Sequence, residues 1–356
     1  KAAGYVTGYF GKWHLGGGGH QPQDHGYEVT EGKVKSDPQY RKRFGNAPAG
    51  PKRIDELTRQ TMFFIQQHKD RPWFATLSHH SVHIRIEARS ETIAKYKAKE
   101  KPDVGVNNPA YAAMVEDLDG TIAQPMAFLD EQRLTNDTIV VFTSDNGGLR
   151  KNYLGVGDQV STNLPLRDEK GTLYEGGIRV PMIVRWPEVV APATVCDEPT
   201  TTADLLQTFC QMSGAKLPDQ PIDGMSMMPL LKDADATLDR DAIYFHYPHY
   251  HHSRPGGAIR MGDYKLIEWF EPNTPPELYN LAKDISESKN LADAQPQRVQ
   301  MMLKRLAEWR KSVGARMPTP NPKYDPDRAD EWWSRRNNKP LDVEAFRKRY
   351  ETRDGK

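Results

Sequence analysis

The segment TIVVFTSDNGG at residues 138–148 decides the fold class, because a buried strand ends there in polar turn residues. Its first six residues are apolar or β-branched, and a Ser-Asp-Asn-Gly-Gly turn follows them. Two more apolar runs have the length of buried strands, PWFATLS at residues 72–78 and MIVRW at residues 182–186. In open α/β sheets ligands bind at the carboxyl ends of the strands, which is where Asp145 and Asn146 stand.

Segments with helical spacing separate these strands. Apolar residues recur on one face in residues 53–68, and a second helix is expected at residues 111–132, where Pro125 should kink or interrupt it. Strands that alternate with helices predict an α/β fold with a mainly parallel sheet. The first fifty residues are rich in glycine and polar residues, so we expect them to be mainly loop.

The pattern changes after about residue 239. Short apolar runs separated by turn residues follow at residues 243–245, 258–260 and 264–267. Together with a helix expected at residues 296–313, they predict a small antiparallel sheet with one helix. The predicted domains are a catalytic domain at residues 1–239, a C-terminal α+β subdomain at residues 240–317 and an extended tail at residues 318–356.

Composition limits the classes of partner. The chain has 356 residues and a formal net charge of +1, from 49 basic and 48 acidic residues, so its overall charge favours neither nucleic acid nor an anionic membrane. No apolar run is long enough to span a membrane, and the first residues lack the apolar stretch of a signal peptide. Cys196 and Cys210 allow one disulfide but match no zinc or redox spacing.

Three short motifs contain residues suited to binding an ion. Asp145 and Asn146 offer hard oxygen ligands for calcium or magnesium, although Asp-Asn-Gly is also ordinary turn chemistry. In GKWHLG at residues 11–16, Lys12 and His14 can present a cation and a proton donor to one anion, or they belong to a solvated loop with a packed tryptophan. Lys170 can bind an anionic oxygen as a point charge, although most lysines are simply solvated.

Histidines form two further groups. His79, His80 and His83 follow the strand at residues 72–78, and four more lie in the segment FHYPHYHH at residues 245–252. Histidine can bind metal, transfer protons or bind anions. A zinc site is the obvious alternative, but cysteines and carboxylates at zinc-like spacing are absent from these segments.

The order of these motifs resembles that of the type I sulfatases. The resemblance runs from about residue 4 to residue 325 and also includes a lysine loop and a C-terminal motif. Its segments are GYVT through GKWHLG at residues 4–16, HGY at 25–27, and residues 72–83, 136–148, 165–181 and 277–290. The resemblance implies an alkaline-phosphatase-like α/β sandwich with a mainly parallel sheet and a smaller C-terminal antiparallel sheet.

The resemblance also assigns a role to each candidate residue. It implies that Asp145 and Asn146 bind Ca²⁺ and that Lys12 and Lys170 hold the sulfate oxygens. His14 would lie beside the nucleophile and assist its turnover, and His83 would contact the sulfate or the leaving oxygen. We add His249 to the sulfate-binding set, because residues 244–252 are rich in aromatic residues and histidines that suit a sugar subsite.

The family nucleophile is a formylglycine made from Cys or Ser in a Cys/Ser-x-Pro/Ala-x-Arg motif upstream of GKWHLG. Neither Cys196 nor Cys210 begins such a motif, and only 11 residues precede Lys12. We therefore expect that the chain lacks the N-terminal part of the family, which a longer reading frame or a second chain would supply.

The sequence thus predicts a hydrolase of sulfuric esters that acts on a sulfated carbohydrate and is inactive as this chain alone. Its partners would be sulfated small molecules or glycans. The resemblance implies a periplasmic or secreted protein. Two alternatives are a non-catalytic protein that binds sulfated glycans and a phosphoesterase of the same superfold.

Overall fold

The computed structural model describes residues 1–102, 105–150 and 160–325 of the chain. These residues form two units, which are described separately below. The first comprises Lys1–Lys101, Asn108–Phe142 and Ile183–Leu238, and the second comprises residues 102–107, Thr143–Met182 and the chain from Asp239 onward. The predicted tail lies outside the described residues from residue 326 onward.

The strands of the described residues are β1 (Val6–Gly11), β2 (Val29–Thr30), β3 (Trp73–Ser78), β4 (Val140–Thr143), β5 (Met182–Arg185), β6 (Ile243–Tyr247), β7 (Gly256–Met261), β8 (Tyr264–Trp269) and β9 (Glu277–Asn280). The α-helices are α1 (Glu31–Ser36), α2 (Pro38–Phe44), α3 (Ile54–His68), α4 (Ser90–Ala98), α5 (Pro109–Glu131), α6 (Glu175–Ile178), α7 (Asp204–Ser213), α8 (Met228–Lys232) and α9 (Pro296–Ser312). Short 3-10 helices lie at Pro22–His25 and Pro51–Arg53. None of the described helices is both long and apolar enough to cross a membrane.

A parallel sheet in the order β2-β1-β3 organises the first unit. Strand β1 lies in the middle, with Gly8 paired to Val29 of β2 and Gly11 paired to Ser78 of β3. The expectation that the first fifty residues are mainly loop holds only in part, because this region contains two strands, two α-helices and a 3-10 helix. The strands β1 and β2 and the helices α1 and α2 all belong to this unit. Phe10 of β1 is fully buried against Phe64 of α3, with ring centroids 5.5 Å apart.

The long helix α5 also differs from expectation. Asn108 caps it by accepting a hydrogen bond from the amide of Tyr111 at 3.0 Å, and Pro109 occupies the first turn, where its missing N–H costs nothing. The helix then continues for 23 residues through Pro125, so the predicted interruption does not occur. Pro125 itself is buried, and Leu129 one turn later joins the core around Phe10.

An antiparallel sheet in the order β6-β7-β8-β9 organises the second unit. Successive side chains of a strand point to opposite faces. One face packs Ala258, Ile267 and Tyr279 against Leu173 and Tyr174, which lie in the lysine loop at residues 165–181. The other face packs against α9, through the buried side chains of Ile259, Leu266, Leu278, Val299, Met302 and Leu306. The predicted antiparallel sheet with one helix is confirmed.

The packing of Leu173 and Tyr174 explains why Thr143–Met182 belongs to the same unit as the C-terminal sheet. This division differs from the boundary at residue 239, which rests on the change of sequence pattern alone. The predicted domain boundaries stay predictions. Cys196 and Cys210 are both free, so the disulfide that the sequence allowed is not formed.

Candidate active site

In the first unit, the carboxyl ends of three parallel strands bring functional side chains to one edge. Lys12 follows β1, Glu31 follows β2, and His79 and His80 follow β3. The backbone amide of Lys12 donates to the carbonyl of Ser78 at 2.7 Å. A Cβ at Gly11 would lie 1.9 Å from that same carbonyl oxygen, so this close approach of β1 to β3 requires glycine immediately before Lys12.

Glu31 links this edge to the start of α3. One carboxylate oxygen accepts a hydrogen bond from the amide of Gly11 at 3.0 Å, and the other forms an ion pair with Arg53. Arg53 also donates to Glu56 at 2.7 Å. Glu31 and Arg53 were not predicted from the sequence, because neither lies in a motif and they come together only in the folded chain.

The surroundings of the two histidines after β3 lower the pKa of both rings. Burial lowers the pKa of His80, and the nearby cations Lys12, Arg53 and Lys52 lower it further. Burial also lowers the pKa of His79 to about 4, with a smaller contribution from His80. Within the described part of the chain neither ring nitrogen of His79 has a hydrogen-bond partner. At neutral pH His79 is therefore an uncharged ring directly after the carboxyl end of β3.

This burial predicts a pH dependence of stability. Between about pH 6.5 and pH 4 the unfolded chain binds a proton at His79 that the folded chain excludes. The stability that this exclusion provides is therefore complete above about pH 6.5 and is lost as the pH falls toward 4. The difference amounts to at most about 3 kcal/mol. Urea unfolding at pH 7.5, 6 and 5 should therefore show a shallower pH dependence for His79→Asn than for the unaltered chain. A non-titrating change in the same loop, Ser81→Ala, should keep the original dependence, and equal slopes for all three proteins would contradict the prediction.

His14 and His83, the predicted catalytic histidines, are both exposed. The amide of His83 donates to the carbonyl of His80 at 3.0 Å, and its Nδ1 lies 2.6 Å from the carbonyl of Ile84. Next to His14, Trp13 packs edge-on against Tyr9 at 4.9 Å and donates to the carbonyl of His20 at 2.6 Å. The motif GKWHLG thus combines a packed tryptophan with an exposed histidine.

In the second unit, the predicted metal ligands lie in a loop anchored by the backbone. Thr143 donates to the carbonyl of Pro181 at 3.0 Å, and the amide of Gly147 donates to the carbonyl of Gly177 at 3.0 Å. The hydroxyl of Ser144 closes the turn by donating to the carbonyl of Asn146 at 3.0 Å. Asp145 and Asn146 therefore stand on a loop fixed at both ends.

The loop of Lys170 lies directly beside the loop of Asp145 and Asn146. The carbonyl of Gly148 accepts hydrogen bonds from the side chain of Asn163 at 2.8 Å and from the amide of Lys170 at 3.4 Å. Asn163 also donates to the carbonyl of Asp168 at 2.9 Å. The structure thus brings three of the predicted site residues, Asp145, Asn146 and Lys170, to two neighbouring loops.

Two acidic side chains precede Lys170. Asp168 lies 3.7 Å from Arg150, yet burial, followed by the charge of Glu169, raises the pKa of its carboxyl group. Glu169 is buried, accepts from the amide of Arg150 and lies 3.3 Å from Nδ1 of His252. In the sequence, His252 was one of several histidines of unassigned role, and its pairing with Glu169 was not predicted.

His249, the remaining predicted residue of the second unit, is exposed and packs edge-on against Tyr247 at 6.0 Å. Lys12, His14 and His83 belong to the first unit, whereas Asp145, Asn146, Lys170 and His249 belong to the second. That these seven residues act together stays a prediction.

Asp145 and Asn146 are ligands of the type that calcium prefers, but two residues are too few to complete a calcium site. Asp145 and Asn146 supply oxygen ligands, whereas calcium takes about six to eight. In residues 1–102, 105–150 and 160–325, no three His, Cys, Asp or Glu side chains are grouped so that they could hold a metal ion. A calcium site would therefore need ligands beyond the side chains that the described residues bring together.

Comparison with known proteins decides the family. A sequence model of the sulfatases matches residues 1–215. The chain belongs to the sulfatase family. A second model, the C-terminal part of N-sulphoglucosamine sulphohydrolase, matches residues 168–312. The two matches together include both loops of the second unit and its antiparallel sheet.

Individual relatives agree with this assignment. A sulfatase of Formosa agariphila is 36% identical over 247 residues, which are 64% of this chain and 43% of that protein. The steryl-sulfatase of Homo sapiens is 34% identical over 193 residues, or 54% of this chain and 31% of that enzyme. The chain thus spans less than half the length of these curated relatives.

A solved structure supports the fold class. The crystal structure of Ps i-CgsB is similar to this chain with a TM-score of 0.70 and 26% identity, over 86% of this chain and 72% of that protein. The predicted alkaline-phosphatase-like α/β fold, with a parallel sheet and a C-terminal antiparallel sheet, is confirmed.

Proposed function

We propose that the chain is part of a sulfuric ester hydrolase that removes sulfate from a sulfated carbohydrate. The observation that carries this proposal is the pair of neighbouring loops in the second unit, where Lys170 is bonded through its backbone to the loop of Asp145 and Asn146. A cation beside hard oxygen ligands is an arrangement suited to an anionic ester.

The proposed roles follow from the charge that develops during hydrolysis. A sulfate ester is an anion, and its leaving oxygen gains charge in the transition state. Lys12 and Lys170 would bind the sulfate oxygens as point charges and stabilise that charge. His83 would donate a proton to the leaving oxygen, which its exposed position allows. His14 would assist turnover beside the nucleophile.

We propose that residues beyond this chain complete the calcium site and supply the nucleophile. Asp145 and Asn146 would be two of the calcium ligands, and the bound ion would neutralise charge on the sulfate group. No Cys or Ser of the sequence begins Cys/Ser-x-Pro/Ala-x-Arg, so a formylglycine nucleophile would come from outside these 356 residues.

A carbohydrate substrate is favoured by one neighbour. Ps i-CgsB has been crystallised with k-i-k-neocarrahexaose and shares 26% identity with this chain. Exposed aromatic and imidazole rings, such as those of Tyr250 and His249, suit a sugar surface. We propose a sulfated polysaccharide or oligosaccharide as substrate and, with it, a periplasmic or secreted location.

The experiment that tests this proposal measures hydrolysis of an aryl sulfate and of neocarrahexaose by the chain joined to the N-terminal segment of a relative. Calcium-dependent release of sulfate by that fusion protein supports it. Retained binding of neocarrahexaose without any release of sulfate would favour a protein that binds sulfated glycans, the alternative that the missing nucleophile motif suggests.

The number of ligands predicts weak calcium binding. With Asp145 and Asn146 as its calcium ligands, the chain should bind Ca²⁺ with a dissociation constant of about 1 mM or weaker, the range of sites with few charged ligands. Calorimetric titration measures this value, and Asp145→Asn should weaken it further, whereas the same change at the exposed Asp235 should not. Tight binding by the chain alone would mean that the ligand set has been misassigned.

A further inference from the structure

Lys170 stands at the corner of a tight turn formed by residues 169–172. The amide of Thr172 donates to the carbonyl of Glu169 at 3.2 Å, which closes the turn, and the hydroxyl of Thr172 donates to the same carbonyl at 2.8 Å. Gly171 has a φ of +83°. A positive φ at the third position is the mark of a type II turn, which requires glycine there and places Lys170 at the second position.

Two consecutive histidines contact the residues on either side of Lys170. Nδ1 of His252 lies 3.3 Å from the carboxylate of Glu169, and the two side chains are only 3% and 6% exposed. The ring of His251 fills the space beside Gly171, where a Cβ would lie 2.2 Å from Nδ1 of His251. The rings of His251 and His252 pack together with centroids 4.4 Å apart.

We propose that His251 and His252 are positioning residues for Lys170. Glu169 is held from two sides, by the amide of Arg150 and by His252, so its place in the turn is fixed. His251 occupies the side of Gly171 and excludes any side chain there. The turn can then present the Lys170 ammonium group in one direction, which suits recognition of a sulfate oxygen by a single point charge.

This inference rests on the proposed role of Lys170 in binding sulfate, and it adds a residue that lies outside the segments of the resemblance. The hydrogen bond of His252 is made to Glu169 and not to Lys170 or to the predicted metal ligands Asp145 and Asn146. His252 acts through Glu169, which precedes Lys170 in the chain. Because a carboxylate oxygen can only accept, Nδ1 of His252 is the donor in this pair.

The test uses two replacements of His252 that differ in one hydrogen-bond donor. His252→Asn keeps a nitrogen donor at the place of Nδ1, whereas His252→Leu has a similar shape without a donor. Hydrogen exchange of the amides of Lys170 and Thr172 should be about tenfold faster or more in His252→Leu. In His252→Asn it should stay close to the original rate. Exchange of the amides of β8, in the same unit, should not change.

A second arm measures binding of neocarrahexaose to the same chains by calorimetry. His252→Leu should weaken binding about tenfold in the original chain and should have no further effect in a Lys170→Ala background, because it acts through Lys170. Lys304→Leu, at a lysine that lies exposed on α9 in the second unit, should leave binding unchanged.

Each result decides one of the two proposals. Unchanged exchange at the turn in His252→Leu, or equally faster exchange in β8, overturns the positioning role. Equal loss of binding with and without Lys170 also overturns it. If the original chain binds no hexasaccharide, the proposed substrate fails for this chain, while the exchange rates still decide whether His252 holds the turn.

Discussion

Expressed alone, the chain should release no sulfate from an aryl sulfate or from neocarrahexaose, whereas its fusion to the N-terminal segment of a relative should hydrolyse both. The reason is chemical, because lysines and a metal ion stabilise charge but provide no covalent route without a nucleophile. The added segment must carry Cys-x-Pro-x-Arg, and both proteins must be produced together with a formylglycine-generating enzyme. Enzymes of this kind accelerate hydrolysis by at least about 10⁶-fold, so the contrast is close to all or none.

Lys170 should be required for that activity. In the fusion protein, Lys170→Ala removes a charge aimed at the developing anion, and losses of about 10²–10³ in kcat are typical for one such group. Lys304→Ala is the matched control, because Lys304 is also a lysine of the second unit but lies exposed on α9. Its activity should equal that of the unaltered fusion protein.

Two results would contradict this prediction in different ways. Turnover by the chain alone, abolished by Lys170→Ala, would show that the nucleophile lies within the 356 residues. Inactivity of both proteins with retained binding of the hexasaccharide would support a protein that binds sulfated glycans. Sulfate release that does not depend on Lys170 would reject the assignment of this residue.

Much of the fold could be predicted from local patterns. The runs that became β3, β4 and β5 are apolar and bounded by turn residues, so their type and approximate limits followed from the sequence. Strand β1 did not, because VTGYFG contains two glycines and its place at the centre of a sheet depends on pairing with β2 and β3. The paired residues are 21 positions apart for β2 and 67 positions apart for β3, and such pairing leaves no periodic signal.

Local sequence patterns also predicted only part of the candidate site. Lys12, Asp145 and Lys170 stand out because each lies in a short motif next to glycines. Glu31 and Glu169 do not, since a glutamate that is bonded within the fold looks in the sequence like any surface glutamate until its partner is known. Their partners, the amide of Gly11 and the ring of His252, are 20 and 83 positions away. Sequence patterns thus predicted candidate groups that face a ligand and missed the groups that hold them.

A buried ion triad in the second unit stabilises the region that follows the turn at residues 169–172. The ammonium group of Lys265 lies 2.9 Å from Glu175 and 2.7 Å from Glu287, and the three side chains are 1%, 3% and 0% exposed. Glu287 also accepts a hydrogen bond from the amide of Glu175 at 2.7 Å. Burial raises the pKa of Glu287, while the charge of Lys265 lowers it. The triad therefore fixes α6 to β8.

Lys265→Met should reduce the free energy of unfolding by about 3–5 kcal/mol, because it leaves two buried carboxylates without their cation. Methionine fits the space of the lysine stem, so the loss reports charge rather than volume. Urea unfolding at pH 7.5 measures it. The matched control is Lys304→Met, whose exposed pair with Glu308 at 4.0 Å should contribute no more than about 0.5 kcal/mol.

A third protein separates the cost of an unpaired charge from any loss of packing. Replacing all three members together, with Lys265→Met, Glu175→Gln and Glu287→Gln, removes the buried charges as well as their partner, so most of the lost stability should return. If the triple variant is as unstable as Lys265→Met alone, the side chains of the triad stabilise the unit through shape and hydrogen bonds. A loss below about 1 kcal/mol in Lys265→Met would instead mean that the carboxylates reach water or a proton once the lysine is gone.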